Sequence, residues 1–397
     1  MGSTAPDKLR KGIEVSIAMA EAAGQANVDV VAAYPITPQT HIVEHLSELV
    51  ADGKLDAEFV PVESEHSAMS CCCGSSAAGA RTYTATSSQG LILMQEILYI
   101  ASALRLPIVM AVANRALSGP ISIWNDHGDV MSVRDTGWIQ IFVENGQEAY
   151  DMTFHAFRVA EDHDVLLPYM IHFDGFILSH VIEPIVFWDQ KMIDKYLPDF
   201  QPAQQLDTAN PFTVGPVGIP EIYMETRMAH EHVLRESKKT IIKAWDELAE
   251  LTGRRYRPIE TYRTDDADTL LLTMGALSET AMTAIDRMRD QGKKVGLVRI
   301  RLWRPFPFEE LAEALSGCKA LGIIDRALST GGPGGPVASE VKSALYHLAD
   351  RPKVVEFIMG LGGRDVRVED IEQVADKTIA VANGAEIPPF EIVGVRE

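Results

Sequence analysis

Three short segments place reactive residue types where an α/β chain usually does chemistry. YPITPQT sets the hydroxyl of Thr37 before Pro38, VESEHSA carries Glu63 and Glu65 at the start of a helix-periodic stretch, and ANRA puts Arg115 directly behind an apolar run. A hydroxyl donates a hydrogen bond, a carboxyl shares or moves a proton, and a guanidinium grips a carboxylate through two parallel N–H bonds. Each residue also has a plainer reading. Thr37 suits an N-cap followed by proline at the first helical position. Glu65 suits the positive end of a helix dipole, and Arg115 suits an ion pair with either glutamate.

Other segments invite chemistry less specifically. WNDHGDV groups Asp126, His127 and Asp129, a metal-like composition that loops also gather for turn geometry, and no metal ligand is assigned from it. The glycine-rich run Gly331 to Gly335 precedes a helix but lacks both the Lys-Ser/Thr of a P-loop and the GxGxxG of a dinucleotide site. GLGGRDV offers Arg364 to an interface or a phosphate, and TSSQG is not a nucleophile elbow. The cysteines are Cys71, Cys72, Cys73 and Cys318. Three consecutive thiols cannot wrap one tetrahedral ion or cluster, so they read as small residues packed along a helix.

The elements that must position these residues follow from periodicity. Val28 to Tyr34, Ala57 to Val62, Thr82 to Ala85, Pro107 to Ala113 and Leu166 to Ile171 are short apolar runs, which predicts strands covered on both faces. Helix-periodic stretches near 12–23, 38–51, 66–79, 90–104 and 146–161 alternate with them, giving a doubly wound α/β sheet. In such sheets ligands bind beyond the carboxyl ends of the strands, where Thr37, Glu65 and Arg115 all fall. Residues 181–222 carry six prolines without a clear period and read as an excursion over the surface or onto a partner. Residues 223–266 read as a connecting helix and a linker, and 267–397 as a smaller α/β domain in which KVGLVRIRLW reads as one strand, after a first domain spanning 1–222.

The 397 residues are 46% hydrophobic, enough for two cores, and carry a formal charge of −20, with 56 acidic against 36 basic residues. That surface repels nucleic acid backbones and anionic lipid heads. The opening MGSTAPDKLRKG has no apolar stretch ahead of a cleavage site, and no run of about 18 apolar residues occurs, so a cytoplasmic chain without a membrane partner is expected.

Taken in order, YPITPQT, VESEHSAM, AAGARTYTATSSQGLILMQE, ANRALS, IWNDHGDVMSVRDTGWIQ and FDGFILSH resemble the 2-oxoacid:ferredoxin oxidoreductases, in particular the α subunit of the pyruvate synthase type. MGALSETAMTAIDRMRDQGKKVGLVRIRLWRPFP, DRALSTGGPGG and GLGGRDV extend the likeness to about residue 370. The resemblance implies a pyrimidine-binding domain of the thiamine-diphosphate enzymes followed by a transketolase C-terminal-like domain. It implies that Glu65 hydrogen-bonds the aminopyrimidine ring as a catalytic, cofactor-binding residue, and that Thr37 and Arg115 bind the carboxylate and oxo group of a 2-oxo acid. The implied reaction is oxidative decarboxylation to an acyl-CoA, with coenzyme A as co-substrate. Pyruvate is the default substrate, and branched or aryl acids such as phenylglyoxylate are alternatives.

What is missing matters equally. A complete thiamine site needs a GDG followed after a spacer by NN, and this chain has no GDG. Ferredoxin-type cysteine spacing is absent as well. The resemblance therefore implies a β subunit carrying the diphosphate motif, magnesium and iron–sulfur clusters on partner subunits, γ and ferredoxin-like δ subunits or equivalents, and ferredoxin or another electron acceptor. Two readings from other classes stay open. One is an inactive scaffold, in which case Thr37, Glu65 and Arg115 need not share a cleft. The other is a self-contained NAD-linked enzyme using Gly331 to Gly335.

Overall fold

A computed structural model describes residues 9–386 and 389–396. The first part of the chain runs β1 (Arg10–Glu14), α1 (Val15–Gln25), β2 (Val30–Ala33), α2 (Thr40–Ala51), β3 (Glu58–Pro61), α3 (Glu65–Ala77), β4 (Thr82–Thr86), α4 (Ser88–Leu93), α5 (Gln95–Ala103) and β5 (Ile108–Asn114). It continues through α6 (Gly128–Val133), β6 (Ile139–Phe142), α7 (Gly146–Ala160), β7 (Tyr169–Asp174), β8 (Ile182–Val186), α8 (Gln190–Tyr196) and α9 (Pro220–Thr252). The remainder is β9 (Ile259–Tyr262), β10 (Thr269–Thr273), α10 (Leu277–Asp290), β11 (Val295–Ile300), β12 (Leu302–Arg304), α11 (Phe308–Ala314), β13 (Ala320–Asp325), α12 (Pro336–Leu345), β14 (Lys353–Ile358), α13 (Val368–Ala382) and β15 (Glu391–Ile392).

A seven-stranded sheet has the order β12-β6-β7-β5-β4-β2-β3, parallel except for β12. Strand β5 shows why it forms. Val109, Ala111 and Ala113 point into the core beneath α1, α2 and α7, while Ile108, Met110 and Val112 point into the core beneath α3, α4 and α5. Alternate side chains of one apolar run thus serve two cores, as a doubly covered strand requires. The second sheet, β15-β14-β13-β10-β11-β9, is built the same way: Leu270 and Leu272 face one core and Leu271 the other.

Four expectations need correction. Residues 10–14 form a strand rather than the start of a helix, because Arg10 to Glu14 pair antiparallel with Val186 to Ile182. The excursion therefore begins as β8, and Ile185, Phe187, Trp188, Ile193 and Tyr196 then bury themselves in the first core. The stretch read as a linker contains β9, which pairs with β11 in the second sheet. Finally, KVGLVRIRLW is not one strand. It divides at Arg301, whose backbone N–H bonds the carbonyl of Pro258 at 2.9 Å, so β11 stays in the second sheet while β12 crosses to pair with β6 in the first.

The crossing is fixed by charge as well as by backbone. Arg301 is 1% exposed and donates to Glu148 at 2.6 Å, to the carbonyl of Arg257 at 2.8 Å, and to Glu260. Burial alone would lower its pKa, but Glu148 and Glu260 outweigh burial and raise it. Helix α9 opens with Pro220, closes on Gly253 in the left-handed region (φ 76°), and packs Ile241, Trp245 and Leu248 into the first core.

Candidate active site

The residues singled out from sequence lie along one row at the carboxyl ends of β3, β2, β4 and β5. Thr37 sits in the turn after β2. It does not cap α2: the Thr37–Pro38 bond is cis, the helix starts at Thr40, and Gln39 occupies the cap position while its amide bonds the carbonyl of Tyr34 at 2.9 Å. Pro38 packs instead against Gly175, where a Cβ would stand 2.7 Å from its ring. The Thr37 hydroxyl is exposed and makes no hydrogen bond among the described residues, while its carbonyl accepts from Arg115 Nη1 at 2.9 Å.

Arg115 is 7% exposed and forms no ion pair with Glu63 or Glu65 among the described residues, against that plainer expectation. Its Nε donates to the carbonyl of Ser122 at 2.7 Å, so of five N–H donors only two are engaged. Burial pushes its pKa down, with Asp129 opposing, which describes a cation under-compensated by its surroundings. A guanidinium in that state, with three of its five N–H donors free, is suited to a carboxylate ligand.

Glu65 opens α3 behind the N-cap Ser64, whose hydroxyl accepts from Ser67 N–H. It is 6% exposed, yet no donor among the described residues reaches its carboxylate. The carboxyl instead lies on the backbone of Gly90: a Cβ there would stand 2.7 Å from Glu65 Oε1 and 2.5 Å from Thr86 Oγ1. Thr86 Oγ1 is itself buried without a partner. A buried hydroxyl left unsatisfied beside the nearly buried carboxyl of Glu65 is expensive unless something else pairs with it. The absent side chain at Gly90 keeps that space open. Gly90→Ala is expected to displace Glu65 by overpacking at a cost of about 1–3 kcal/mol. Activity of the assembled complex should fall while subunit association survives, as followed by dye reduction and size-exclusion chromatography.

Sequence reasoning missed two positioning residues. Asp129, fully buried, accepts from Ser88 N–H (3.1 Å), Arg115 N–H (3.0 Å), Asn114 Nδ2 (3.1 Å) and Val130 N–H (2.7 Å), tying the β4–α4 turn to the end of β5. Burial pushes its carboxyl up to about 7, with N–H donors from Arg115, Asn114 and Val130 pulling the other way. Ser88 stands at φ 48°, the left-handed region, which costs a residue with a side chain about 1–3 kcal/mol and persists only when its neighbours enforce it. Asp129 on its N–H and the Ala116 carbonyl on its hydroxyl, at 2.6 Å, enforce it here. Glu65 on Gly90, Ser88 on Asp129, and Arg115 on Thr37 thus make one continuous row of contacts.

The Asp126, His127 and Asp129 group does not gather around an ion, since each is engaged separately. Asp126 accepts from the N–H groups of Gly128 and Gly362, at 2.9 and 3.1 Å. His127 pairs with Asp174 at 2.7 Å, and Asp174 also accepts from Asn125 (3.0 Å), Ala276 N–H (2.8 Å) and Arg326 (3.3 Å), joining the two sheets behind the row. Burial would raise the Asp174 carboxyl, but Arg326 and His127 prevail and hold it below the usual range.

The glycine-rich turn is no nucleotide cradle. The N-terminus of α12 is filled by the chain's own carboxylates: Asp325 accepts from Ala338 N–H at 2.9 Å, and Glu356 accepts from Gly335 N–H. A Cβ on Gly334 or Gly335 would run into Glu356 or Asp325, so these glycines admit acids and leave no room for phosphate. The turn at Gly362 and Gly363 docks on the loop at 124–126, and Arg364 is exposed. Cys72 is buried on α3, Cys71 and Cys73 are half-buried, and all four cysteines are free; burial pushes Cys73 up to about 12. No helix among the described residues is long and apolar enough to cross a membrane.

Comparison with known proteins identifies the family. Residues 21–245 match the family model described as pyruvate flavodoxin/ferredoxin oxidoreductase, thiamine diphosphate-binding, and residues 267–371 match pyruvate:ferredoxin oxidoreductase core domain II. Pyruvate synthase subunit PorA of Methanocaldococcus jannaschii is 49% identical over 92% of this chain and 93% of its own. Ketoisovalerate oxidoreductase subunit VorA of Pyrococcus horikoshii is 44% identical over 96% of both. The fold is shared with a 2-oxoglutarate:ferredoxin oxidoreductase from Magnetococcus marinus solved with 2-oxoglutarate, coenzyme A and succinyl-CoA. That match has a TM-score of 0.67 at 18% identity and covers 94% of this chain and 65% of that one. A split-gene transketolase shares the fold at a TM-score of 0.55 and 12% identity, over 94% of this chain and all of its own. The chain belongs to the 2-oxoacid:ferredoxin oxidoreductase family, as an α subunit of the pyruvate synthase type.

Proposed function

We propose that this chain supplies the pyrimidine side of a thiamine diphosphate site and the carboxylate clamp for pyruvate, in a complex that converts the 2-oxo acid to its acyl-CoA and passes electrons to ferredoxin. The observation that carries this reading is a buried carboxyl at Glu65, beside the partnerless Thr86 hydroxyl, on the same strand-end row as a guanidinium, Arg115, with three of its five N–H donors free. Glu65 and the neighbouring Thr86 hydroxyl fit an aminopyrimidine, whose ring nitrogen offers an acceptor and whose amino group offers a donor to such a pair. When bound, thiamine diphosphate supplies the carbon nucleophile that adds to a 2-oxo acid and the electron sink for its decarboxylation.

The chain's own residues do the rest of its share. Glu65 holds and releases a proton at the pyrimidine nitrogen, in surroundings dry enough to make that hydrogen bond strong. Arg115 takes the substrate carboxylate on its remaining N–H donors, oriented by the Thr37 and Ser122 carbonyls, and the Thr37 hydroxyl donates to the substrate from the same side. Asp129 holds the Arg115 and Ser88 backbones in place beneath them. The diphosphate, magnesium and iron–sulfur clusters fall to partner subunits, a β chain with GDG…NN and ferredoxin-like chains, because this chain has neither motif nor cluster spacing.

Arg115 and Thr37 read a carboxylate that every 2-oxo acid shares, and the similarity to VorA supports a branched acid as the second reading. The purified complex, assayed with coenzyme A and a viologen dye, should show a higher kcat/KM for pyruvate than for ketoisovalerate or phenylglyoxylate; a reversed order selects the branched or aryl reading. In the same assay Arg115→Lys should raise KM for the 2-oxo acid about 10–100-fold, the loss of roughly 1.5–3 kcal/mol of charge-assisted hydrogen bonding. An unchanged KM would remove Arg115 from substrate binding.

A further inference from the structure

Apart from the strand-end row, three residues of metal-ligating type converge from separate segments. Glu14 closes β1, His41 is the second residue of α2, and His180 lies in the loop after β7, and one ligating atom from each lies within 4.8 Å of the other two. The convergence is built in. Val15 N–H bonds the carbonyl of Val181, and Ser16 N–H that of Ser179, each at 3.1 Å, while the Ser16 hydroxyl bonds the Ser179 carbonyl at 2.8 Å. The loop that carries His180 is therefore fastened to the start of α1, beside Glu14.

We propose that Glu14, His41 and His180 bind a divalent transition-metal ion of the zinc type, with one coordination position left to water. Two imidazoles bound to one zinc at about 2.0–2.1 Å and a tetrahedral angle place their ring centroids roughly 5 Å apart. The His41 and His180 centroids are 4.6 Å apart. Two nitrogens and one carboxylate oxygen match the donor set of an open zinc site. The ring of His180 is oriented from behind: its Nδ1 lies 2.7 Å from Ser179 Oγ, which also accepts from Phe176 N–H at 2.8 Å. That leaves Nε2 as the free donor, in the manner of ligating histidines held by an outer hydrogen bond.

The alternative is an ion pair between Glu14 and His41, 2.6 Å apart, with His180 idle beside it. One carboxylate then engages only one of the two imidazoles, whereas a cation uses all three groups. The ion would tie β1, α2 and the 175–180 loop together, and Gly175 of that loop backs Pro38 and so the turn bearing Thr37.

The test uses the full-length chain, stripped with a chelator and titrated with zinc chloride by calorimetry, and with cobalt chloride while the visible spectrum is followed. The expected result is one saturable equivalent, cobalt d–d bands of low-symmetry coordination, and a melting temperature that rises with zinc. His41→Ala with His180→Ala should weaken binding on the order of 100-fold or more, above the 10–100-fold that outer-shell partners typically contribute. Glu14→Gln, which keeps the shape and the hydrogen bond to His41, should weaken it at least tenfold. Absence of saturable binding in the parent chain, or zinc affinity unchanged in Glu14→Gln, overturns the proposal, and the second holds even if the double variant fails to fold.

Discussion

Glu65→Gln in the assembled complex is expected to lower 2-oxo-acid-dependent dye reduction by about 10²–10⁴-fold, the usual worth of a positioned general acid–base group. Glutamine preserves the volume that rests on Gly90 and can still hydrogen-bond, but it cannot share a proton with a ring nitrogen. Because Glu65 makes no hydrogen bond among the described residues, the variant loses no internal partner, and its melting temperature should stay within a few degrees of the parent. The loss should appear in kcat, with KM for the 2-oxo acid little changed, since the proposed carboxylate clamp is on Arg115. Turnover within tenfold of the parent would take Glu65 out of proton transfer and return the scaffold reading to the front.

The largest effect on stability is expected from Asp174→Ala. Asp174 is 1% exposed and is the common acceptor for His127, Asn125, Ala276 N–H and Arg326, and Arg326 is itself 3% exposed. Removing the carboxylate leaves a buried guanidinium uncompensated, a change that costs about 3–5 kcal/mol. Activity should fall with it, because Asn125 and His127 belong to the loop that leads into Asp129. The pH dependence has a definite sign. The carboxyl of Asp174 is lowered in the folded chain, so its contribution is fully present above the ordinary aspartate range and is lost as the pH falls through the folded value. The stability gap between parent and variant should be constant from about pH 5 upward and close toward acid, since the unfolded aspartate titrates near 3.9. Denaturant melts that show a gap under about 1 kcal/mol, or one that widens in acid, contradict this account.

The parallel strands are legible in the sequence because each is an apolar run with a period of two hidden in it, as in β5. Strand β6 is not, since IQIF is four residues long and its Gln140 breaks the run. Strand β1 reads as helix because Arg10 to Glu14 acquire strand geometry only from β8, about 170 residues away. The row of Thr37, Glu65 and Arg115 is legible in position, since strand ends locate ligands in open sheets, but not in contact. Nothing local says that Arg115 bonds the Thr37 carbonyl rather than a glutamate. Asp129 reads only as a candidate metal ligand because its partners are mostly backbone N–H groups, which no sequence pattern displays. The turn at Gly331 to Gly335 misleads for the opposite reason, as composition alone cannot reveal that two distant acids fill the helix end.

Strand β12 gives the chain an order of assembly. The outer edge of the first sheet is completed by residues 302–304, more than 120 positions after β7, the last of its parallel strands in the chain. While the ribosome is still producing α9, β6 carries an open row of N–H and C=O groups, the kind of edge that pairs with any available strand. A chain cut short after α9 would keep that edge permanently, and with it a route to aggregation. The crossing also makes the two sheets a single mechanical body. Separating the two sheets would first require unzipping β12 from β6.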